Sequence, residues 1–205
     1  LARYYRQRGR DVFFLTGTDE HGQKIAEAAG TKGVVPQAFV DDLANTFKAA
    51  WKKLNISNDD FIRTTEPRHA KVVQGIFSRL LEKGDIYRGE YEGWYCISCE
   101  TYWTEAQLSG KYTCPDCGRE VERLKEDTYF FKLSKYEKPL LDHIAKHPEF
   151  IEPASRRNEV LSFIKGGLRD LSVSRTNFTW GVKVPGSEKH VIYVWFDALI
   201  NYVSA

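Results

Sequence analysis

A chain of 205 residues that is 42% hydrophobic and 28% charged can bury a core and suits one large domain or two small ones. Its formal net charge of +2 announces no basic field for a nucleic-acid partner, although a locally basic face stays open. No apolar run approaches the ~20 residues that span a bilayer and no secretory leader is visible, so a soluble, intracellular protein in a reducing compartment is expected.

The first stretch, LARYYRQRG, reads as the tail of a helix. Residues 11–17 (DVFFLTG) form a short apolar run with β-type residues, which predicts a buried strand. Phe39, Leu43, Phe47, Trp51 and Leu54 then recur every three or four residues behind Pro36, predicting a helix. Residues 60–65 (DFIRTT) predict a second strand. Val72, Ile76, Leu80 and Leu81 mark another helix, closed by Gly84. Strand, helices, strand, helix is a βαβα order, which argues for a parallel sheet covered by helices.

From Asp85 the texture changes to short aromatic segments around four cysteines. EDTYFFKL follows as a predicted strand, then a helix whose start Pro139 blurs. Ser155 is placed to cap a further helix carrying Val160, Phe163 and Ile164, ended by Gly166 and Gly167. HVIYVWF is nearly all apolar, as a strand covered on both faces should be, and Asp197 could cap the helix after it. A parallel-sheet texture that begins, is interrupted and resumes predicts an α/β domain with an insertion. The sequence has no methionine and WFDALINYVSA stops inside a predicted helix, so a piece of a longer protein is expected.

All four cysteines fall in CISCETYWTEAQLSGKYTCPDCG, residues 96–118, as two C-x-x-C pairs. Two such pairs can set four thiolates at tetrahedral corners around Zn²⁺. Pro115 and Gly118 suit the tight turn of the second pair. A complete set of four leaves no open position for water, so Cys96, Cys99, Cys114 and Cys117 predict a structural site that fastens a core-poor loop. Two disulfides fit poorly without secretion, a thioredoxin-like pair would explain one motif and not both, and a single iron shares the spacing.

TGTDEHG, residues 16–22, lies where a parallel strand ends, the usual ligand side of open α/β sheets. There Asp19 could bind an amine; the competing reading has Asp19 capping the next helix while Glu20 and His21 are solvated. The stretch lacks the glycine pattern of a phosphate cradle. YVWFDALINY places Trp195 and Asp197 near another strand end, where Trp195 could wall an apolar pocket or simply pack in the core.

TGTDEHGQKI, YEGWYCISCETYWTEAQL with CPDCG, KEDTYFFKLSKY, LSVSRTNFTWGVKVPG and HVIYVWFDALINY, in that order, resemble bacterial methionyl-tRNA synthetase over essentially the whole chain. The resemblance implies a Rossmann-like parallel sheet split by a connective-peptide insertion with the zinc knuckle: residues 1–84 and 169–205 in the catalytic domain, 85–168 in the insertion. It implies ATP-dependent activation of methionine and its transfer to tRNA(Met), with ATP and Mg²⁺ as substrate and its metal, a structural Zn²⁺, a cytoplasmic location, and no membrane or DNA partner.

By the same resemblance Asp19 holds the substrate ammonium, His21 sits beside it, Trp195, Ala198 and Tyr202 shape the side-chain pocket, and Arg175 is a candidate for orienting the activated intermediate. The family's two nucleotide signatures, H-I-G-H and K-M-S-K-S, do not occur here, so the piece alone is expected to be inactive. KLSKY, residues 132–136, resembles the second but falls at an ordinary strand-to-helix junction, where Ser134 and Glu137 fit a capping box. Leu199 stands where relatives often carry proline, and Leu171 where some are aromatic. Two other readings remain: a non-catalytic zinc-containing RNA-binding module on a synthetase-like scaffold, and a class I synthetase for leucine, isoleucine, valine or cysteine.

Overall fold

The structure, a computed structural model, describes residues 1–108 and 112–205. Helix α1 (Ala2–Gln7) leads to strand β1 (Leu15–Thr18), and helices α2 (Gln23–Thr31) and α3 (Pro36–Lys53) carry the chain to β2 (Asp60–Arg63). β1 and β2 pair in parallel, from Leu15 beside Asp60 to Thr18 beside Arg63, which requires such a helical crossover. Gly17 makes the pairing possible: a Cβ there would lie 2.1 Å from the Ile62 carbonyl oxygen. The fold is therefore α/β with a parallel pair, as the βαβα order predicts.

One expectation fails in this region, and the predicted helix turns a different face inward than its largest side chains suggest. β1 is shorter than residues 11–17 and only half-buried, with Phe13 66% exposed. In α3 the buried residues are Val40 and Ala44, while Leu43, Phe47 and Leu54 are exposed. The small side chains let α3 lie close to α2, which rotates the larger stripe outward. Periodicity reports that a helix has an apolar face; it does not report which neighbour that face meets.

Helix α4 (Pro67–Glu82) buries His69, Val73 and Phe77 at i, i+4 and i+8, with Val72, Ile76 and Leu80 packed along the margin. Gly84, at φ 73°, turns the chain out of it as predicted. Strands β3 (Ile86–Cys96) and β5 (Glu122–Phe131) then form a long antiparallel ribbon flanked by β4 (Thr101–Trp103) and β6 (Leu171–Ser172), in the order β4-β3-β5-β6.

Between β5 and β6 lie α5 (Glu137–Lys146) and α6 (Ala154–Lys165). Pro139 is harmless because it falls in the first turn of α5, where no backbone N–H has a helical partner. Ser155 does not cap α6; Pro153 holds that position. Nor do Ser134 and Glu137 cap α5: Ser134 Oγ donates to Asp170 and Glu137 accepts from the Leu168 backbone N–H. Long-range partners displaced the local ones.

HVIYVWF does not continue the parallel sheet. β7 (Ser174–Arg175) and β8 (Val191–Ile192) form a two-residue antiparallel pair, and the chain then enters α7 (Val194–Leu199) and α8 (Asn201–Ser204). Trp195 and Asp197 sit on α7, whose cap is Tyr193 and not Asp197. Among the described residues the core falls into three clusters. One joins α4 and β3 to residues 173–200, one surrounds the cysteines, and one lies between α5 and α6.

Candidate functional site

The four cysteines come together. Their sulfurs all lie within 4.8 Å of one another, Cys96 to Cys117 at 3.6 Å and Cys99 to Cys114 at 3.8 Å. Four sulfurs about 2.3 Å from one tetrahedral ion stand about 3.8 Å apart, so the set fits zinc. The backbone N–H of Arg119 pulls the Cys117 thiol down to about 7, whereas hydrogen bonding with Cys117, then burial, pushes Cys99 up to about 12. Four thiolates this close to one another require a cation between them.

The knuckle is pinned to the βαβ part through Glu100, which follows Cys99. Glu100 adopts φ 50°, accepts the Tyr193 hydroxyl proton at its backbone carbonyl, and brings its carboxylate to the Lys24 backbone N–H at 3.4 Å. Gly22 must be glycine here, with φ at 105° and a would-be Cβ 2.4 Å from Glu100 Oε1.

This arrangement closes a cavity of about 440 Å³ between the knuckle, the start of α2 and α7. Asp19, His21, Trp195, Ala198 and Tyr202, the five residues marked in the sequence for an amino-acid pocket, all line it, and Leu199 lies among them. Burial, then repulsion from Asp197, lifts the Asp19 carboxyl to about 6, against the pull of His21. Asp19 is nevertheless exposed at the mouth, so its surroundings are crowded on the protein side and wet on the other. Asp19 does not cap α2: Gly22 holds the cap position and no side chain bonds there.

Glu20 and His21 are buried, not solvated. Glu20 accepts from Thr18, Thr65 and Arg63 and clamps the ends of β1 and β2. His21 Nδ1 stands 2.6 Å from Asp197 Oδ2, and its ring meets Trp180 edge-on. On the far side of Asp197 lies His69, a residue no sequence motif singled out. The available signal was its place on the Val73–Phe77 stripe of α4, a polar ring in register with core residues.

Arg175 is not among the residues lining this cavity. It is 1% exposed, donates Nη1 to Ser172 Oγ at 2.8 Å and to the Ser174 carbonyl at 2.7 Å, and lies 4.0 Å from the Tyr193 ring centre. Together with Leu171 it lines a second cavity of about 590 Å³, which shares Trp195 and Leu199 with the first. KLSKY also has a structural account. Lys135 Nζ and Tyr136 Oη meet the buried Asp85 carboxylate at 2.5 and 2.7 Å, tying the end of β5 to the start of β3, and the Lys135 bond above all holds that carboxyl well below the ordinary range.

A parallel βαβ unit, a ribbon carrying a four-cysteine knuckle and an acid-and-aromatic cavity where they meet define an α/β domain of the class I synthetase type. The chain belongs to that family: the model for tRNA synthetases class I (M) matches residues 1–126 and 120–205. Its relatives include the methionine–tRNA ligase of Caldanaerobacter subterraneus subsp. tengcongensis, 58% identical over 206 residues that cover 100% of this chain and 32% of that protein. The methionine–tRNA ligase of Thermotoga maritima is 53% identical over 100% of this chain and 33% of its own. The chain thus spans about a third of the length of the curated relatives it matches. Mycobacterium tuberculosis methionyl-tRNA synthetase bound by methionyl-adenylate superposes with a TM-score of 0.93 and 46% identity, over 99% of this chain and 41% of that one. Its free-state structure gives 0.80 and 42%, over 99% and 39%. Among the described residues, no helix is long and apolar enough to cross a membrane.

Proposed function

We propose that this chain carries the amino-acid pocket and zinc knuckle of a methionine–tRNA ligase, which activates methionine with ATP and Mg²⁺ and transfers it to tRNA(Met) in the cytoplasm. The observation that carries the reading is the cavity, whose lining brings together a carboxylate, an imidazole, Trp195, Ala198 and Tyr202. A carboxylate gives a charge-assisted hydrogen bond to a primary ammonium, and aromatic walls suit a polarisable thioether. Residues 1–84 and 169–205 form the catalytic domain and 85–168 the connective insertion. Cys96, Cys99, Cys114 and Cys117 hold Zn²⁺, whose closed coordination fixes the loop that presents Glu100 to the cavity wall. Arg175 braces Tyr193, and through it that wall, from the second cavity. Removing the Asp19 carboxylate should cost about 1.5–3 kcal/mol, hence roughly ten- to a hundredfold in methionine affinity. A thermal-shift screen of free amino acids tests the reading: methionine should stabilise the full-length protein, and leucine, isoleucine, valine and cysteine should not. Stabilisation by one of those four instead would overturn it.

A further inference from the structure

Behind the cavity wall runs a chain of four buried or half-buried polar groups. His21 Nδ1 lies 2.6 Å from Asp197 Oδ2, Asp197 Oδ1 lies 2.8 Å from His69 Nε2, and His69 Nδ1 lies 2.7 Å from Ser204 Oγ. His69 and Asp197 are both 0% exposed. Core packing alone would be served by a hydrocarbon at position 69; an imidazole there instead has both nitrogens engaged.

We propose that His69 is a positioning residue for the cavity: its Nε2–H occupies one oxygen of Asp197, commits the other oxygen to His21, and so fixes the His21 proton on Nδ1 and leaves Nε2 as an acceptor beside Asp19. The proton count closes without any charged imidazole. The Ser204 hydroxyl donates to His69 Nδ1, a contact much shorter than its 3.5 Å alternative at the Asn201 carbonyl. His69 and His21 each donate one N–H to the carboxylate, which thereby accepts at both oxygens. Burial works against the Asp197 anion, but the bonds from His21 and His69 outweigh it and hold the carboxyl below its ordinary range, so it is an acceptor. His21 Nε2 makes no hydrogen bond among the described residues and His21 lines the cavity. The cavity lining therefore offers two acceptors, the Asp19 carboxylate and the His21 Nε2 lone pair, to the N–H groups of an ammonium. An imidazolium, or the opposite tautomer, would aim a proton at that ammonium. This inference rests on the amino-acid reading of the cavity.

The first arm of the test uses the unaltered full-length protein. Nitrogen-15 shifts of the His21 ring near neutral pH should show a protonated Nδ1 and a bare Nε2; the reverse tautomer or an imidazolium overturns the proposal. The second arm measures affinity for L-methionine and for its amine-free analogue 4-(methylthio)butanoate. His69→Phe should weaken L-methionine about tenfold and the analogue by no more than about twofold, and His69→Gln, whose amide can still donate to Asp197, should regain most of the loss. An equal loss for both ligands, or an equal loss in both variants, makes His69 a packing residue and overturns the proposal. If Asp19→Asn also leaves L-methionine affinity unchanged, the amino-acid site itself is misassigned, while the nitrogen shifts still decide the tautomer.

Discussion

The Asp19 carboxyl, poised at about 6 by burial and by Asp197, predicts a specific pH dependence of methionine binding. The ammonium of the ligand binds the ionised carboxylate, and neither the amine nor the carboxyl of a free amino acid titrates between pH 5 and 7. Asp19 is about 90% protonated at pH 5 and about 10% at pH 7, so affinity should fall about tenfold, or about 1.4 kcal/mol, between those values. Exposure at the cavity mouth makes that figure an upper limit. Asp19→Asn should bind weakly at both values and lose the slope. For stability the sign reverses. A carboxyl whose folded pKa is raised stabilises the fold fully below about pH 4, and that contribution is lost as pH rises through about 6. Asp19→Asn should therefore melt no lower than the parent at neutral pH, which separates lost binding from lost folding. The assay is calorimetric titration of L-methionine into the full-length protein at pH 5, 6 and 7, beside melting curves. A parent affinity that is flat across that range, or a variant with the parent's slope, would refute the reasoning.

The cysteine cluster should carry one zinc per chain by elemental analysis, and replacing any one of Cys96, Cys99, Cys114 or Cys117 by serine should lower both metal content and melting temperature; iron in the cluster would contradict this. Trp195→Ala should weaken methionine binding by about tenfold through loss of an aromatic wall, with zinc content unchanged, and a parallel loss of metal would show that Trp195 supports the knuckle and not the pocket. Gly22→Ala combines a positive φ with a Cβ 2.4 Å from Glu100 Oε1 and should cost about 1–3 kcal/mol, read as roughly 2–4 °C of melting temperature per kcal/mol. Adding Glu100→Ala should recover the clash and leave the backbone penalty; full recovery, or none, would show that one of the two was misjudged.

Local signals were sufficient for most of the helices and for the cysteine cluster. A C-x-x-C pair is fixed by its own two-residue turn, so the clustering of the four cysteines was legible from residues 96–118 before any fold was known. Proline at the start of α3 and glycine at the end of α4 act within one turn, and they marked those two bounds. The resemblance to the synthetases marked five of the residues that line the cavity. Tertiary structure decided what depends on distant partners. Val40 and Ala44, not Phe47, face inward because α2 packs there, and only two residues of HVIYVWF pair because the chain turns at Tyr193 into a helix. Ser134 answers to Asp170 and not to its own helix. Asp197 meets His21 across 176 positions of sequence and His69 across 128, and no periodicity carries information over such a span. A buried carboxylate takes its donors from whatever elements the fold stacks against it, so the role of His69 is set by packing and invisible in the order of residues.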